Sequence, residues 1–581
     1  MGNYINKAIS NNIKNEAILD NEDIQNKIKG GFISKTGKYF EIKKEDGSLV
    51  TLSSSEEIEI IINYSLMIIT MYINKSMNSK TTEITINGFF DTIHKYEDHY
   101  DNYEKLTVDE SKNIKFTQDI SKNHLIFLKA NPSTYFLDEN GWNPSGIGTW
   151  NPTTRVAKLT KDITQMIEIK TNYVKLDGLR AGNIKSKIDG INLGMNGIYV
   201  NGYQNISISN IEILNCDNGI LINNSDNISI NNNVISSNNI GIIILDNNRS
   251  IDIKENLIKD NDDFGIYVQM YNTNIVMKKN SIINGEIGIF LNIYNNHNEI
   301  INNSIYKSGN TNGYFFGVFI TVYNNYNLLA DNSIKVSGIN TANNTNITIA
   351  SIYCNGAYNN YNNIENNSIE MDNNNINSNS NNLYGIYLGS SISGSQMIKN
   401  NKVSIHNNKM YMNNAVSRAN SLWGVFVPFG QYVIENNKIY IIENEIIDNV
   451  ITGAQISNII SGININNMNM GSSIKNNHVE MKKNRFTTGN TNVDTKIIGI
   501  YLFVGNYGSV VGGNKIIVEE NDTEGQSGCY GTYLGDSNTG IWIKSNLISI
   551  NKNISTVQSG IYLALSNISN KIEGNRILNI Q

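Results

Sequence analysis

Proline is nearly missing. Only 4 occur in 581 residues, and Pro132, Pro144 and Pro152 all precede residue 155. A chain so free of residues lacking an N–H places few interruptions in a hydrogen-bonded ladder, and Pro428 follows the strand-like Val425-Phe426-Val427, where a turn accepts it. Cysteine is as scarce: Cys216, Cys354 and Cys529 lie far apart, in no metal-binding spacing, and their odd number argues against a disulfide framework. They read as small apolar residues. Charged residues make up 17% of the chain and the formal net charge is −6, which leaves no electrostatic footprint for nucleic acid. Apolar residues reach 40%, too many for a disordered chain. The longest apolar run, Ile60–Ile73, is too short to span a membrane and contains Asn63 and Tyr64. Met1–Asn6 has no apolar core of a secretory leader, so none is expected there. Asn6 likewise stands where a myristoylation signal has Ser or Thr.

What the chain does have is a glycine that returns. Gly197, Gly219, Gly241, Gly265 and Gly288 follow one another at spacings of 22, 22, 24 and 23 residues. Most open an alternating apolar phrase such as Gly197-Ile198-Tyr199-Val200 or Gly288-Ile289-Phe290-Leu291. Between them lie Asn-rich turns and a second short strand, as in Asn232-Asn233-Val234-Ile235 and Glu255-Asn256-Leu257-Ile258. A fixed period in this range marks a repeat architecture, and period-2 strands without a helical pattern point to a solenoid of β coils. After Gly317 the equivalent positions are Ser351, Gly385, Gly424, Gly462, Gly499, Gly531 and Gly560, at spacings of 29 to 39 residues. From about residue 310, therefore, the coils are expected to be wider or to carry an additional strand. The phrase sends Ile198, Ile220, Ile242, Ile266 and Ile289 to one face, stacked inside a narrow tube, and the intervening residue outward. Asparagine suits the corners, because it tolerates left-handed backbone and can stack its amide on the same residue one coil away. About 14 coils at about 4.8 Å each would make a shaft of about 70 Å.

Residues 1–154 carry more charge and no coil repeat, and are expected to form an α+β or β-rich head. Ser54-Ser55-Glu56-Glu57 before the apolar run resembles a capping box that would open a helix over 58–73, although Ile58-Glu59-Ile60 reads nearly as well as strand. The Gly/Pro-rich stretch with Trp142-Asn143-Pro144 and Trp150-Asn151-Pro152 sets the boundary, and residues 155–581 are assigned to the coils.

The phrases Ala157-Lys158-Leu159-Thr160, Met166-Ile167-Glu168-Ile169 and Tyr173-Val174-Lys175-Leu176-Asp177-Gly178, followed by the Gly-Ile coils, resemble the right-handed parallel β-helix proteins. In particular they are similar to the NosD-like repeat of the pectin-lyase-like superfamily. The resemblance implies an all-β, single-stranded right-handed parallel β-helix. For function it implies several things at once, since the repeat occurs in enzymes, adhesins, viral spikes and structural proteins. The residues for a copper role like that of NosD are missing.

Two outer surfaces are candidates. Two residues after the repeating Gly, ten of thirteen outward positions are aromatic. Tyr267, Phe290, Phe319, Tyr353, Tyr387, Phe426, Tyr501, Tyr533 and Tyr562 are the candidate binding residues, a stripe suited to sugar rings or a protein partner. The alternative is packing beneath the chain's own loops. The second surface is acidic. Asp263 and Glu286 fall in adjacent coils with Asp262 next door, so two carboxylates can approach within about 5 Å, a separation suited to glycoside hydrolysis. The same pair suits Ca²⁺, as in many lyases of this superfamily, or is simply a solvated corner. A lyase also needs a base, and the nearest cations by repeat position are Lys259, Lys278 and Lys279, with Arg249 the one arginine in these coils. No cofactor or metal is otherwise called for.

The leading expectation is a non-catalytic shaft, outside the cell or on a virion such as a phage tail, that contacts glycan or protein. A polysaccharide hydrolase or lyase is the first alternative and a self-assembling fibre the second. The strand pattern of Gly560–Gln581 suggests that the last coil is covered by another copy, giving a homo-oligomer or fibre.

Overall fold

The computed structural model describes residues 31–43, 49–65, 68–73, 81–87, 92–97, 99–107, 113–119, 124–130 and 134–578, the last range apart from 191–193, 311–313, 342–345, 357, 379, 390–394, 413–419, 449–456, 489–492 and 525. In the N-terminal region eight strands, Gly31–Lys43 through His124–Ala130, form one sheet. The helix expected over 58–73 is replaced by strands Leu49–Ser65 and Ile68–Ile73, which pair antiparallel with Ile60 opposite Ile73. The Ser-Ser-Glu-Glu phrase is a weak start signal, whereas Ile58, Ile60, Ile61, Ile62, Ile68 and Ile69 are β-branched and pack best on a pleated surface.

The rest of the described chain is a parallel β-helix. Each coil contributes a strand to three long sheets in turn. The first, here the glycine sheet, contains Asn196–Asn201, Asn218–Asn223 and their successors. The second contains Gln204–Ser209 and Asp226–Asn231, and the third Ile211–Leu214 and Val234–Ser236. The glycine and second sheets have 16 strands each and the third has 18. Their paths reach back beyond residue 155: Tyr135–Asp138 and Gly141–Asn143 open the glycine sheet, and Gly148–Asn151 opens the second. Ile198, Ile220, Ile242, Ile266 and Ile289 pair in register and are fully buried, as their phrase requires.

The repeating glycine is explained by crowding, not by backbone conformation. A Cβ on Gly241 would stand 2.5 Å from the Gly265 carbonyl oxygen and 2.8 Å from Ile258 Cγ2, and the same clash recurs at Gly424, Gly462 and Gly499. The chain turns there from the third sheet into the glycine sheet, and only hydrogen fits between successive coils.

Asparagine holds the opposite corner, between the second and third sheets. Asn233, Asn256, Asn280, Asn303, Asn332, Asn367, Asn401, Asn437, Asn477, Asn514, Asn546 and Asn575 form one unbroken amide ladder, each Nδ2 donating to the next Oδ1 at 2.8–3.1 Å. Each Oδ1 also accepts the backbone N–H of the residue one coil below, so these buried amides are satisfied from several sides. The left-handed conformation falls on the residue before the ladder position: Asn232, Glu255, Lys279, Asn302 and Asp331 all have φ of 54–56°. The two jobs expected of one asparagine are thus divided between neighbours.

The wider coils gain a second strand in the third sheet. The single strand Ser333–Asn340 pairs with both Ser368–Asp372 and Asn375–Ser378, and the doubling continues through His478–Lys482 with Arg485–Thr488. A second amide ladder, Asn374, Asn408, Asn444, Asn484, Asn521 and Asn553, marks the added corner.

Candidate functional site

The acidic corner lies where the third sheet hands over to the glycine sheet. Asp263 and Glu286 are stacked in adjacent coils: the Asp263 carbonyl accepts the N–H groups of Glu286 and Ile287 at 3.1 and 3.0 Å. Both side chains are half-buried and Asp262 is exposed. Burial raises the Asp263 carboxyl above its ordinary range, and the charges of Glu286, Asp262 and Asp217 add to the rise. Of the expected cations, Arg249 and Lys278 are on strands of the second sheet. Lys278 and Lys279 line a shallow groove on the outer face of the second sheet with Asp252, Lys254 and Glu255, where Lys279 Nζ stands 3.8 Å from Glu255. The cation that the fold brings to the acids is Lys307. It is 7% exposed, 5.9 Å from the Phe315 ring centre, and held below the ordinary lysine range by burial against the upward pull of Glu286. Lys307 lies inside the third-sheet strand Ser304–Asn310 of the next coil, away from the glycine phrase, so repeat position does not point to it. Two carboxylates and an ammonium in one half-buried corner are a donor and acceptor set that proton transfer would use.

The aromatic stripe exists as a column in register, running Tyr267, Phe290, Phe319, Tyr353, Tyr387, Phe426, then Asn464, Tyr501, Tyr533 and Tyr562. It does not stand alone. The residue before each glycine makes a second outer column, with Phe264, Ile287, Phe316, Tyr384, Trp423, Ile498 and Tyr530, and the two pack together. Tyr384 stacks on Trp423 at 4.7 Å between ring centres, and Phe316 on Tyr353 at the same distance. Phe426 is 8% exposed and Tyr501 4%, whereas Tyr562 at the last coil is 37% exposed. Tyr267, Phe290, Phe319, Tyr353, Tyr387 and Tyr533 are half-buried.

The open rings are at the turn from the glycine sheet to the second sheet. Tyr271, Tyr294, Tyr323 and Tyr358 stack with centres 4.7–5.1 Å apart. Beside them His297, Tyr326 and Tyr361 stack at 4.9 and 5.0 Å. Tyr271, Tyr326 and Tyr361 are each at least half exposed, at 55, 52 and 50%. Between the two stacks run Asn296, Asn325 and Asn360, linked by the side-chain oxygens of the first two: Asn325 N donates to Asn296 Oδ1 and Asn360 N to Asn325 Oδ1, both at 2.7 Å. Asn292 Nδ2 donates to the Tyr267 hydroxyl at 3.2 Å, joining this turn to the half-buried column. All seven ring-bearing residues adopt left-handed backbone, with φ of 57–66°. That costs about 1–2 kcal/mol for a residue with a Cβ, and aromatic stacking returns about 0.5–1.5 kcal/mol per pair. The signal was in the sequence as Tyr-Asn-Asn-[His/Tyr]-Asn, beginning at Tyr294, Tyr323 and Tyr358.

The cysteines are buried, and burial pushes the Cys216 thiol up to about 12, the state of an inert structural thiol. Among the described residues no helix is long and apolar enough to cross a membrane.

Residues 177–334 match a family model described as the right-handed beta helix region. The coils are accordingly those of a right-handed parallel β-helix. No curated protein matches the chain. Similar solved structures include the mannuronan C-5 epimerase AlgE6 A-module of Azotobacter vinelandii, at 12% identity over 73% of this chain and 92% of that one, with a TM-score of 0.31. The tailspike protein of E. coli bacteriophage HK620, in complex with a pentasaccharide, is 10% identical over 74% of this chain and 70% of its own, with a TM-score of 0.24. The catalytic unit of a thermostable GH87 alpha-1,3-glucanase from Streptomyces thermodiastaticus is 8% identical over 94% and 97%, with a TM-score of 0.20. At these identities and scores none of them transfers a substrate or a reaction to this chain.

Proposed function

We propose that the protein is a non-catalytic β-helix shaft, displayed outside a cell or on a virion, that contacts glycan along the Tyr/His and Asn ladders of residues 271–361. The observation that carries this reading is the pair of exposed ring stacks with an amide row between them. Their repeat of about 4.8 Å per coil is close to the length of one sugar unit in an extended glycan. The turns Tyr294–Asn298, Tyr323–Asn327 and Tyr358–Asn362 contain no Asp, Glu, Lys or Arg, so the surface offers ring edges, phenol hydroxyls and amides to a polyhydroxylated, uncharged ligand. The half-buried column of Tyr267, Phe290, Phe319, Tyr353 and Tyr387 forms the wall of the same face. Binding of the full-length protein to a panel of neutral polysaccharides tests this. The Tyr294→Ala/Tyr326→Ala double variant should lose at least tenfold in affinity while remaining folded at the assay temperature, as read by circular dichroism. Equal affinity in parent and variant would contradict the proposal.

The polysaccharide hydrolase or lyase reading keeps one specific observation, the Asp263–Glu286–Lys307 corner. It predicts depolymerising activity that Asp263→Asn, Glu286→Gln or Lys307→Met abolishes. Activity surviving all three changes would remove this corner from consideration.

A further inference from the structure

The outer face of the third sheet carries a cluster that belongs to neither surface described above. Strand Ser368–Asp372 presents Glu370 and Asp372 two residues apart, and in the next coil strand Lys402–His406 pairs His406 with Asp372. One ligand atom from each of Glu370, Asp372 and His406 lies within 4.8 Å of the others. His406 Nε2 is 3.6 Å from Glu370 Oε1.

Asp372 supplies the independent observation. It is 7% exposed, its Oδ2 accepts from Asn373 Nδ2 at 2.8 Å, and its Oδ1 is buried with no hydrogen-bond partner among the described residues. A buried carboxylate oxygen left without a donor is costly and asks for a cation. The cation in reach is the Lys335 ammonium from the coil below, 3.0 Å from Glu370 Oε1 but 3.7 Å from Asp372 Oδ1. Lys335 is 40% exposed and free to swing outward.

We propose that Glu370, Asp372 and His406 bind a divalent metal of the zinc type, which bridges two successive coils and displaces the Lys335 ammonium. One imidazole with two carboxylates is a donor set for zinc, with a fourth position left to water, whereas calcium requires six to eight oxygens. Around a tetrahedral ion with bonds of about 2.0–2.2 Å, ligand atoms stand about 3.3–3.5 Å apart. The Glu370–His406 edge is already near that value, and side-chain torsions close the other two. Asn407 provides orientation: its side-chain amide is 3.3 Å from His406 Nδ1. With the amide turned so that its oxygen accepts from Nδ1–H, Nε2 carries the lone pair that faces the metal.

Calorimetric titration of the full-length, chelator-treated protein with zinc chloride, and separately with calcium chloride, tests the site. One equivalent of zinc should bind, with calcium binding far more weakly. Asp372→Asn and His406→Gln should each weaken zinc binding about tenfold or more, and Lys335→Met should tighten it. Cobalt(II) added in place of zinc should give the intense visible absorption of a tetrahedral site in the parent and not in His406→Gln. Metal-free melting curves that superimpose on the parent's separate a lost ligand from a lost fold, and Lys335→Met, a gain of affinity, does not depend on that control. Absence of saturable zinc binding in the parent, or affinity unchanged in both ligand variants, would overturn the proposal.

Discussion

The narrow coils before residue 310 and the wide coils after 368 treat the same residue types in opposite ways. In the narrow coils and the two that follow them, tyrosines stand at the turn with their edges in solvent, as Tyr271 and Tyr326 do at 55 and 52% exposure. In the wide coils the best-covered rings lie on the glycine sheet, with Trp423 and Tyr384 at 8% exposure each, although Tyr507 at the turn stays 59% exposed. The wide coils also add a strand and a second asparagine ladder, while the glycine sheet and the second sheet continue in register. The added strand brings its own amide column, and the turn from the glycine sheet to the second sheet lengthens as well, from two residues between Asn223 and Asp226 to seven between Ile320 and Leu328. The difference separates aromatic residues that stabilise the shaft from those left free to meet something else.

The largest effect should come from the interior that both regions share. Ile266→Asp buries an unpaired charge in the narrow tube and should cost about 5 kcal/mol or more, read as loss of the folded baseline in chemical denaturation. A variant that melts like the parent would refute the inward assignment. Next, Trp423→Ala in the wide coils should cost about 3–5 kcal/mol as a buried aromatic truncation, whereas Tyr326→Ala at the open turn should cost only its two stacked neighbours, about 1–3 kcal/mol. Equal costs would erase the distinction between covered and open rings. Asn437→Leu interrupts the long ladder and removes the acceptor of Asn401 N and Nδ2. Each orphaned donor costs about 1–3 kcal/mol, and the effect should appear in hydrogen exchange of the adjacent coils first, because solenoid coils contact mainly their neighbours.

The smallest effect concerns pH. Asp263 has its carboxyl raised by burial and by Glu286. A group whose folded pKa lies above its unfolded value lends stability below the unfolded pKa, and that contribution disappears as pH rises through the folded one. Asp263→Asn should therefore leave acid stability unchanged and raise stability slightly at neutral pH. A melting temperature that falls at neutral pH would mean that the carboxylate has a favourable partner there.

Much of this was legible in the sequence, for physical reasons that can be named. The Gly-Ile-x-apolar phrase determines strand, face and stacking at once, so Ile198 through Ile289 were assignable, and the Asn excess was readable as ladders. The N-terminal run was harder, because a start signal of Ser and Glu competes with β-branched residues and only pairing decides. The cation near Glu286 was not legible: Lys307 lies within the third-sheet strand Ser304–Asn310 of the next coil, and no repeat position aligns a third-sheet residue with the residue before the glycine phrase. The metal-ligating trio was hidden for a similar reason. Glu370 and Asp372 are two apart, but His406 joins them only through the coil spacing of 34 residues. The open ring stacks were legible and passed over, since the period was sought in the strands and the Tyr-Asn-Asn motif sits in the turns.

The most direct test of the account measures affinity for one neutral polysaccharide in two single variants side by side, Tyr326→Ala in the open ladder and Tyr533→Ala in the wide-coil column. The account predicts that Tyr326→Ala weakens binding about fivefold or more, the equivalent of about 1 kcal/mol for a lost aromatic contact, while Tyr533→Ala binds like the parent. Binding lost in Tyr533→Ala and retained in Tyr326→Ala would contradict it.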